Sequence, residues 1–206
     1  MFYRPGRDDH GLPRNPFNAL ITPRPIAWIV ARDAAGVDNL APFSFFNGAA
    51  YEPPIVSTAF TGAKLGDLKG ERKDTLANIE ATGVYSVNIV PTALKDAMNA
   101  SAAHLAAGES EFAAAGVTNL PCAEIACGRV AESPAVMECE LVQVVDLPNE
   151  GPGRNATIFG KVVGVHISDE ILKDGFVDPT AYAPLARMGY LDYASITDIF
   201  TLKRPE

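Results

Sequence analysis

This chain is short of the residues that build metal sites and disulfide frameworks. Its 206 residues include only three cysteines, three histidines and one tryptophan. The cysteines, Cys122, Cys127 and Cys139, are odd in number and lack CxxC spacing. The histidines, His10, His104 and His166, lie far apart, so no metal-ligand signature is present. Reduced thiols in a cytoplasm are the expectation. No apolar run approaches the roughly 18 residues of a spanning helix, so no membrane segment is expected. The N-terminus carries Arg4, Arg7, Asp8 and Asp9 among prolines, and the short apolar "IAWIVA" follows a "TPRP", so no signal peptide is expected. Positive charge is in deficit: the net charge is -8 and the pI about 4.9, which argues against a general nucleic-acid surface. Net charge does not describe a pocket, so a local basic site stays open. "NEGPGRN" is a turn, because no strand-loop-helix order with GxxxxGK surrounds it, and neither a nucleophile elbow nor a dinucleotide fingerprint occurs.

What remains is an ordinary globular composition, 48% hydrophobic and 20% charged, without repeats or low-complexity tracts. The length suits a single domain over 1–206, with an arm at 1–20 and an irregular segment at 170–206. "PIAWIVAR" (25–32) has the pattern of a buried strand. "DAAGVD" is a turn, and a second strand over 37–46 would complete a hairpin. "PPIVSTAF" (53–60) is a third strand. "KDTLANIEATG" carries helix punctuation: Asp74 or Thr75 as N-cap, and Gly83 as terminator. "VYSVNIV" (84–90) alternates as a half-buried strand should. Residues 92–107 are alanine-rich and predict a helix. "AVMECELVQVVDL" (135–147) and "ATIFGKVVGVHIS" (156–168) predict a strand pair. On the first of these, Cys139 falls with Met137 and Leu141 on an apolar face, while Glu138 and Glu140 are expected to be solvated. His166 is expected to be structural. Strands outnumber helices and do not alternate with them, so the fold class is mainly β with inserted helices, an antiparallel barrel or sandwich.

Three stretches could carry chemistry. In "GERKDTLANI", Arg72 and Lys73 directly precede a helix start, where exposed N–H groups and the helix dipole favour an anion and Thr75 can donate a hydroxyl. Solvated loop charges beside a simple cap would read the same way. In "NLAPFSFFN", Pro42 removes a ladder donor from a run that otherwise resembles a core strand. Asn39, Ser44 and Asn47 offer polar groups, and Phe43, Phe45 and Phe46 offer flat apolar surface. A planar heteroaromatic ligand with polar edges would match such a wall, and so would an edge strand whose aromatics lie in the core. In "PLARMGYLDYA", Arg187 stands near Gly189, Tyr190 and Tyr193, as a pocket lip, an arm to a second subunit, or a segment packed by its tyrosines.

Taken together and in order, "ITPRPIAWIVARDAAGVDNLAPFSFFNGAAYEPPIV", "KDTLANIEATGVYSVNIV" and "PLARMGYLDYA" resemble the flavin reductase-like family of FMN-binding split barrels, over about residues 15–195. The resemblance implies a Greek-key split β-barrel and a homodimer with FMN near its interface. It also implies hydride transfer from NADH or NADPH to flavin, in many members to supply a partner monooxygenase. By the same resemblance, Asn39 through Asn47 line the isoalloxazine, with backbone groups of Ala41, Pro42, Phe43 and Ser44 at its polar edge. Arg72, Lys73, Asp74 and Thr75 hold the phosphate, and Arg24, in "TPRPI", lies near the flavin. Arg187 and Tyr190 match a motif that often reads "RLGG.Y", with Tyr190 in place of the second glycine, where its bulk could narrow access. No side chain need act as a base, because the flavin carries the hydride chemistry. A flavin-binding electron carrier with poor nicotinamide use is the alternative.

Overall fold

The computed structural model describes residues 1–62, 74–103, 105, 110–151 and 153–205. Seven strands form the main sheet: β1 Ala27–Arg32, β2 Asp38–Phe43, β3 Phe46–Tyr51, β4 Pro54–Phe60, β5 Val84–Ile89, β6 Ala135–Leu147 and β7 Asn155–Ile167. Their order is β2-β1-β5-β6-β7-β4-β3, and every neighbouring pair is antiparallel. The two edge strands, β2 and β3, are consecutive in the chain and joined only by Ser44 and Phe45. Three Cα steps span at most about 11 Å, so this link draws the sheet's ends together into a barrel split at one seam. The rings of Phe43 and Phe60 fill the seam, with centroids 4.5 Å apart. Apart from β2 and β3, which meet only at the seam, β4 and β5 are the one consecutive pair of this sheet that does not adjoin, and α1 (Asp74–Thr82) lies in that crossover, which makes the topology a Greek key.

Alternation along the strands builds two cores. Ala27, Ile29, Phe43, Val56, Phe60, Tyr85, Val87, Cys139 and Ile158 fill the barrel, and Leu76 and Ile79 of α1 join them. Each buried aliphatic contributes about 1.5–3 kcal/mol, which is what holds a helix too short to be stable alone. Gly83 ends α1 with φ +75°, its N–H donating to the Ile79 carbonyl at 2.8 Å. The opposite face of β1, with Trp28 and Val30, is covered by Met98 of α2 (Lys95–Ala100) and Phe112 of α3 (Glu111–Ala115). This is why "AWIVA" is buried on both faces and apolar without a break.

Several expectations are corrected. The strand over 37–46 is two strands, because β2 stops at Phe43 and Phe46 begins β3. The helix over 92–107 is a 3-10 turn at Thr92–Leu94 followed by α2, which ends at Ala100. There the Ser101 hydroxyl donates to the Met98 carbonyl and accepts from Trp28 Nε1, both at 2.8 Å, so the next turn has a competitor for its hydrogen bonds. His104 lies outside the described residues. β5 is not half-buried, since Tyr85, Ser86, Val87 and Asn88 are all enclosed. Its polar side faces a small hairpin of Asn119–Pro121 and Gly128–Val130. Ser86 Oγ donates to the Gly128 carbonyl at 2.7 Å, and Asn88 Oδ1 accepts the Val130 N–H at 2.8 Å.

Glu138, expected in solvent, is fully buried. It accepts the N–H groups of Ala123 and Glu124 at 2.7 Å and of Ile125 at 3.2 Å, and His166 Nε2 lies 2.5 Å from Oε1. His166 is thus structural, as expected. Burial opposes the charge of Glu138, but the Ala123 N–H, His166 and the Glu124 N–H outweigh it and hold the carboxyl below its ordinary pKa. Cys139 is buried as expected, and all three cysteines are free thiols. Among the described residues no helix is long and apolar enough to cross a membrane.

Candidate functional site

The outer side of edge strand β2 pairs with no further strand among the described residues. At its start, Asn39 Nδ2 donates to Thr75 Oγ1 at 2.7 Å, and Asn78 Nδ2 donates to Asn39 Oδ1 at 3.1 Å. These two bonds dock the first turns of α1 onto β2. Thr75 is buried within the first turn and is not the cap, because the helix already begins at Asp74. Arg72, Lys73 and the side chain of Asp74 lie outside the described residues. From Asn39 to Ser44 the extended chain covers about 16 Å.

The far end of β2 reaches the seam. There a small sheet pairs Arg24–Pro25 with Leu185–Arg187, and the latter with Tyr193–Ser195. Arg24 stands directly opposite Arg187, and Arg187 opposite Tyr193. Arg24 is 7% exposed. Its Nη1 donates to the carbonyls of Asn18 and Ile21, each at 2.5 Å, and its guanidinium lies 5.5 Å from the centroid of Phe45. Its buried Nε has no partner among the described residues. Burial first, and the neighbouring charge of Arg187 second, lower the pKa of Arg24. Arg187 donates to the Tyr193 hydroxyl and the Tyr190 carbonyl and lies 4.4 Å from the Tyr193 ring centroid.

Several hollows surround this end, three of them lined by residues named above. A cleft of about 80 Å³ is lined by Ile26, Pro42, Phe43, Ser44, Met98, Arg187 and Tyr193. A cavity of about 440 Å³ shares the last three residues and extends to Lys95, Asp96, Asn99, Leu185 and Leu191. On the other side of Ser44, a groove of about 250 Å³ is lined by Arg24, Phe45, Phe46, Asn47 and Ser57.

The structure therefore gathers Arg24, Pro42, Ser44, Phe45, Asn47 and Arg187 at the seam, and Asn39 with Thr75 at the opposite end of β2. Ala41, between them, packs toward the barrel core. The aromatic wall is corrected in part. Phe43 and Phe46 turn their rings to the core, and Phe45 alone stacks outward, on Arg24. Tyr190 contributes its carbonyl to Arg187; the residue is 41% exposed, and its ring centroid lies 5.9 Å from the Arg14 guanidinium. Lys95, Met98 and Asn99 carried no sequence signal, because they meet Arg187 only through tertiary packing. Tyr193 was visible beside Arg187, but its hydrogen bond depends on strand pairing.

The flavin reductase like domain matches residues 19–186. The chain belongs to the flavin reductase-like family. Its split barrel is the fold of that family. An uncharacterised protein of Halalkalibacterium halodurans is 34% identical over 90% of this chain and 87% of its own. Nitrilotriacetate monooxygenase component B from Bacillus cereus superposes with a TM-score of 0.87, at 29% identity, over 98% of both chains. The 2-nitrobenzoate 2-nitroreductase of Pseudomonas fluorescens superposes with a TM-score of 0.77, at 27% identity, over 92% of this chain and 88% of its own. For this flavin reductase-like chain, the unpaired edge of β2 and the buried, unpartnered Arg24 Nε fit a ligand with polar edges along the seam.

Proposed function

We infer that the chain binds FMN along the outer side of β2 and is an NAD(P)H-dependent flavin oxidoreductase. The observation that carries this reading is that unpaired edge: about 16 Å of strand running from the α1 start, at Asn39 and Thr75, to the seam at Ser44 and Arg187. When bound, the flavin supplies the ring that accepts and passes on hydride. The chain's own residues bind and orient it. Arg72, Lys73, Asp74 and Thr75 take the phosphate end with the helix N–H groups. Backbone groups from Ala41 to Ser44 take the polar ring edge, and Arg24, Phe45 and Asn47 flank it. Arg187 and Tyr190 close the other side. Cationic donors at the ring edge favour the reduced, anionic flavin.

Two further parts belong to this proposal. The working unit is a homodimer. β3 is an edge strand exposed from Asn47 to Tyr51, with Tyr51 at 95%, and the apolar Ile199, Phe200 and Leu202 are exposed. Such an edge and tail call for a covering partner, and twofold pairs are the commonest homo-oligomers. The reduced flavin serves a cytoplasmic monooxygenase, a role supported by the likeness to a monooxygenase component.

Equilibrium dialysis against FMN, followed by stopped-flow mixing of the loaded protein with NADH and with NADPH, tests the reading. Bleaching of the flavin band by either nucleotide is expected. Binding without bleaching would leave a flavin carrier, and no binding at high micromolar FMN would end the proposal. Light scattering should give about twice the 21.9 kDa chain mass.

A further inference from the structure

Arg187 and Arg24 stand opposite each other in strand register, near enough for their charges to interact, and neither makes an ion pair among the described residues. Arg187 spends its hydrogen bonds on a phenol and a carbonyl, and Arg24 on two carbonyls, so every named acceptor is neutral. Arg24 is more than nine-tenths buried, and its Nε is unsatisfied among the described residues. Like charges brought together in partly dry surroundings call for a counter-ion. Arg187 is also the charged group that joins the 80 Å³ cleft at the β2 wall to the 440 Å³ cavity between α2 and the C-terminal segment. That cavity has an apolar and aromatic lining in Met98, Leu185, Leu191 and Tyr193. Lys95 adds a cation at its rim. Asp96 also lines the cavity and contacts Lys95 at 3.4 Å; with its side chain 91% exposed its charge is well screened by solvent, and the pair is weak.

We propose that this cavity receives the second substrate, and that Arg187, reinforced by the charge of Arg24, holds it by a carboxylate or phosphate group. This rests on the reading of the β2 wall as the flavin site, because the cavity gains its purpose by opening onto that wall. A cavity of this size suits a ring-bearing organic anion. Arg187 is suited to the task, since the Tyr193 ring and two acceptors fix its planar fork in one orientation.

The test is calorimetry of benzoate and of inorganic pyrophosphate, at matched ionic strength, on wild type, Arg187→Gln, Arg187→Lys and Tyr193→Phe, with and without FMN. Saturable binding of at least one anion to wild type is expected. Arg187→Gln should weaken it about tenfold to a hundredfold, the loss of a charged hydrogen bond. Arg187→Lys should restore part of it, and Tyr193→Phe should cost a few-fold. Benzoate binding alone identifies a carboxylate acceptor, and pyrophosphate binding alone a nucleotide. In the nucleotide case, Arg187→Gln should also raise the half-saturating NADH concentration by the same factor. No binding of either anion to wild type, or equal binding to the Gln variant, overturns the proposal. Because the titration is also run on flavin-free protein, a failure to take up FMN is seen separately and sinks the flavin reading instead.

Discussion

Asn39, at the start of β2, donates to the hydroxyl of Thr75, in the first turn of α1, at 2.7 Å, and accepts from Asn78 at 3.1 Å. One side chain thus fixes the helix start against the edge strand. Replacing it leaves Thr75, which is 3% exposed, without this donor. Asn39→Ala should cost about 1–3 kcal/mol, the penalty for unpaired buried polar groups. Urea unfolding at unchanged m-value would measure it. A loss below about 0.5 kcal/mol would mean that water substitutes for Asn39 and that the docking depends on Leu76 and Ile79 alone.

The basic pair before α1 makes a sharper claim about FMN. The Arg72→Ala, Lys73→Ala double variant should bind FMN about tenfold to a hundredfold more weakly, at roughly 1.5–3 kcal/mol for a charged hydrogen bond. Riboflavin, which lacks the phosphate, should be affected far less. Fluorescence titrations of both ligands decide the matter, and an equal loss for the two would place the pair elsewhere.

Acid stability should hinge on Glu138. Its folded pKa is depressed, so its contribution is complete above the ordinary glutamate value, about 4.3, and is lost as pH falls through the lowered folded value. Thermal unfolding between about pH 6 and pH 3 should show a steep acid limb. Glu138→Gln should destabilise the protein near neutrality and flatten that limb. An unchanged limb would assign acid sensitivity to other carboxylates, such as Asp38, which Arg32 holds in a two-bond pair at 2.8 Å.

The contrast between Glu138 and β7 shows what a sequence can carry. The β6–β7 pairing was legible because two alternating runs flank a turn, and so were Gly83 as a helix end and Trp28 on a doubly buried strand. Each rests on local spacing. The partners of Glu138 are backbone N–H groups at Ala123 to Ile125, which leave no trace in side-chain pattern. β3 escaped notice because Asn47, Gly48, Ala49 and Ala50 are small or polar and all exposed. They form a strand only because β4 offers a ladder, with a register shift between Gly48 and Ala50. At the candidate site, Arg24 and Arg187 were each visible as motif residues, but their opposition in one small sheet was not.

Tyr190 stands where the family motif often has glycine, and its backbone explains why glycine suits the position. Its φ is +55°, a left-handed conformation that costs an ordinary residue about 1–2 kcal/mol. Gly189 before it has no room for a side chain, since a Cβ would meet Ala19 Cβ at 2.5 Å. The ring of Tyr190 contacts Arg14 of the N-terminal arm, and its carbonyl, which any residue supplies, accepts from Arg187. Tyr190→Gly therefore keeps the Arg187 anchor. Relief of the left-handed backbone offsets the loss of an exposed cation–π contact of about 0.5–1 kcal/mol and the added freedom of the unfolded chain. The melting temperature should move by no more than about 4 °C. If the ring and Arg14 together narrow the cavity mouth, Tyr190→Gly and Arg14→Ala should both speed flavin reduction by bulky donors and leave FMN affinity alone. A fall in melting temperature beyond about 8 °C, with the donor range unaltered, would instead make Tyr190 a packing residue that ties the arm to the C-terminal turn.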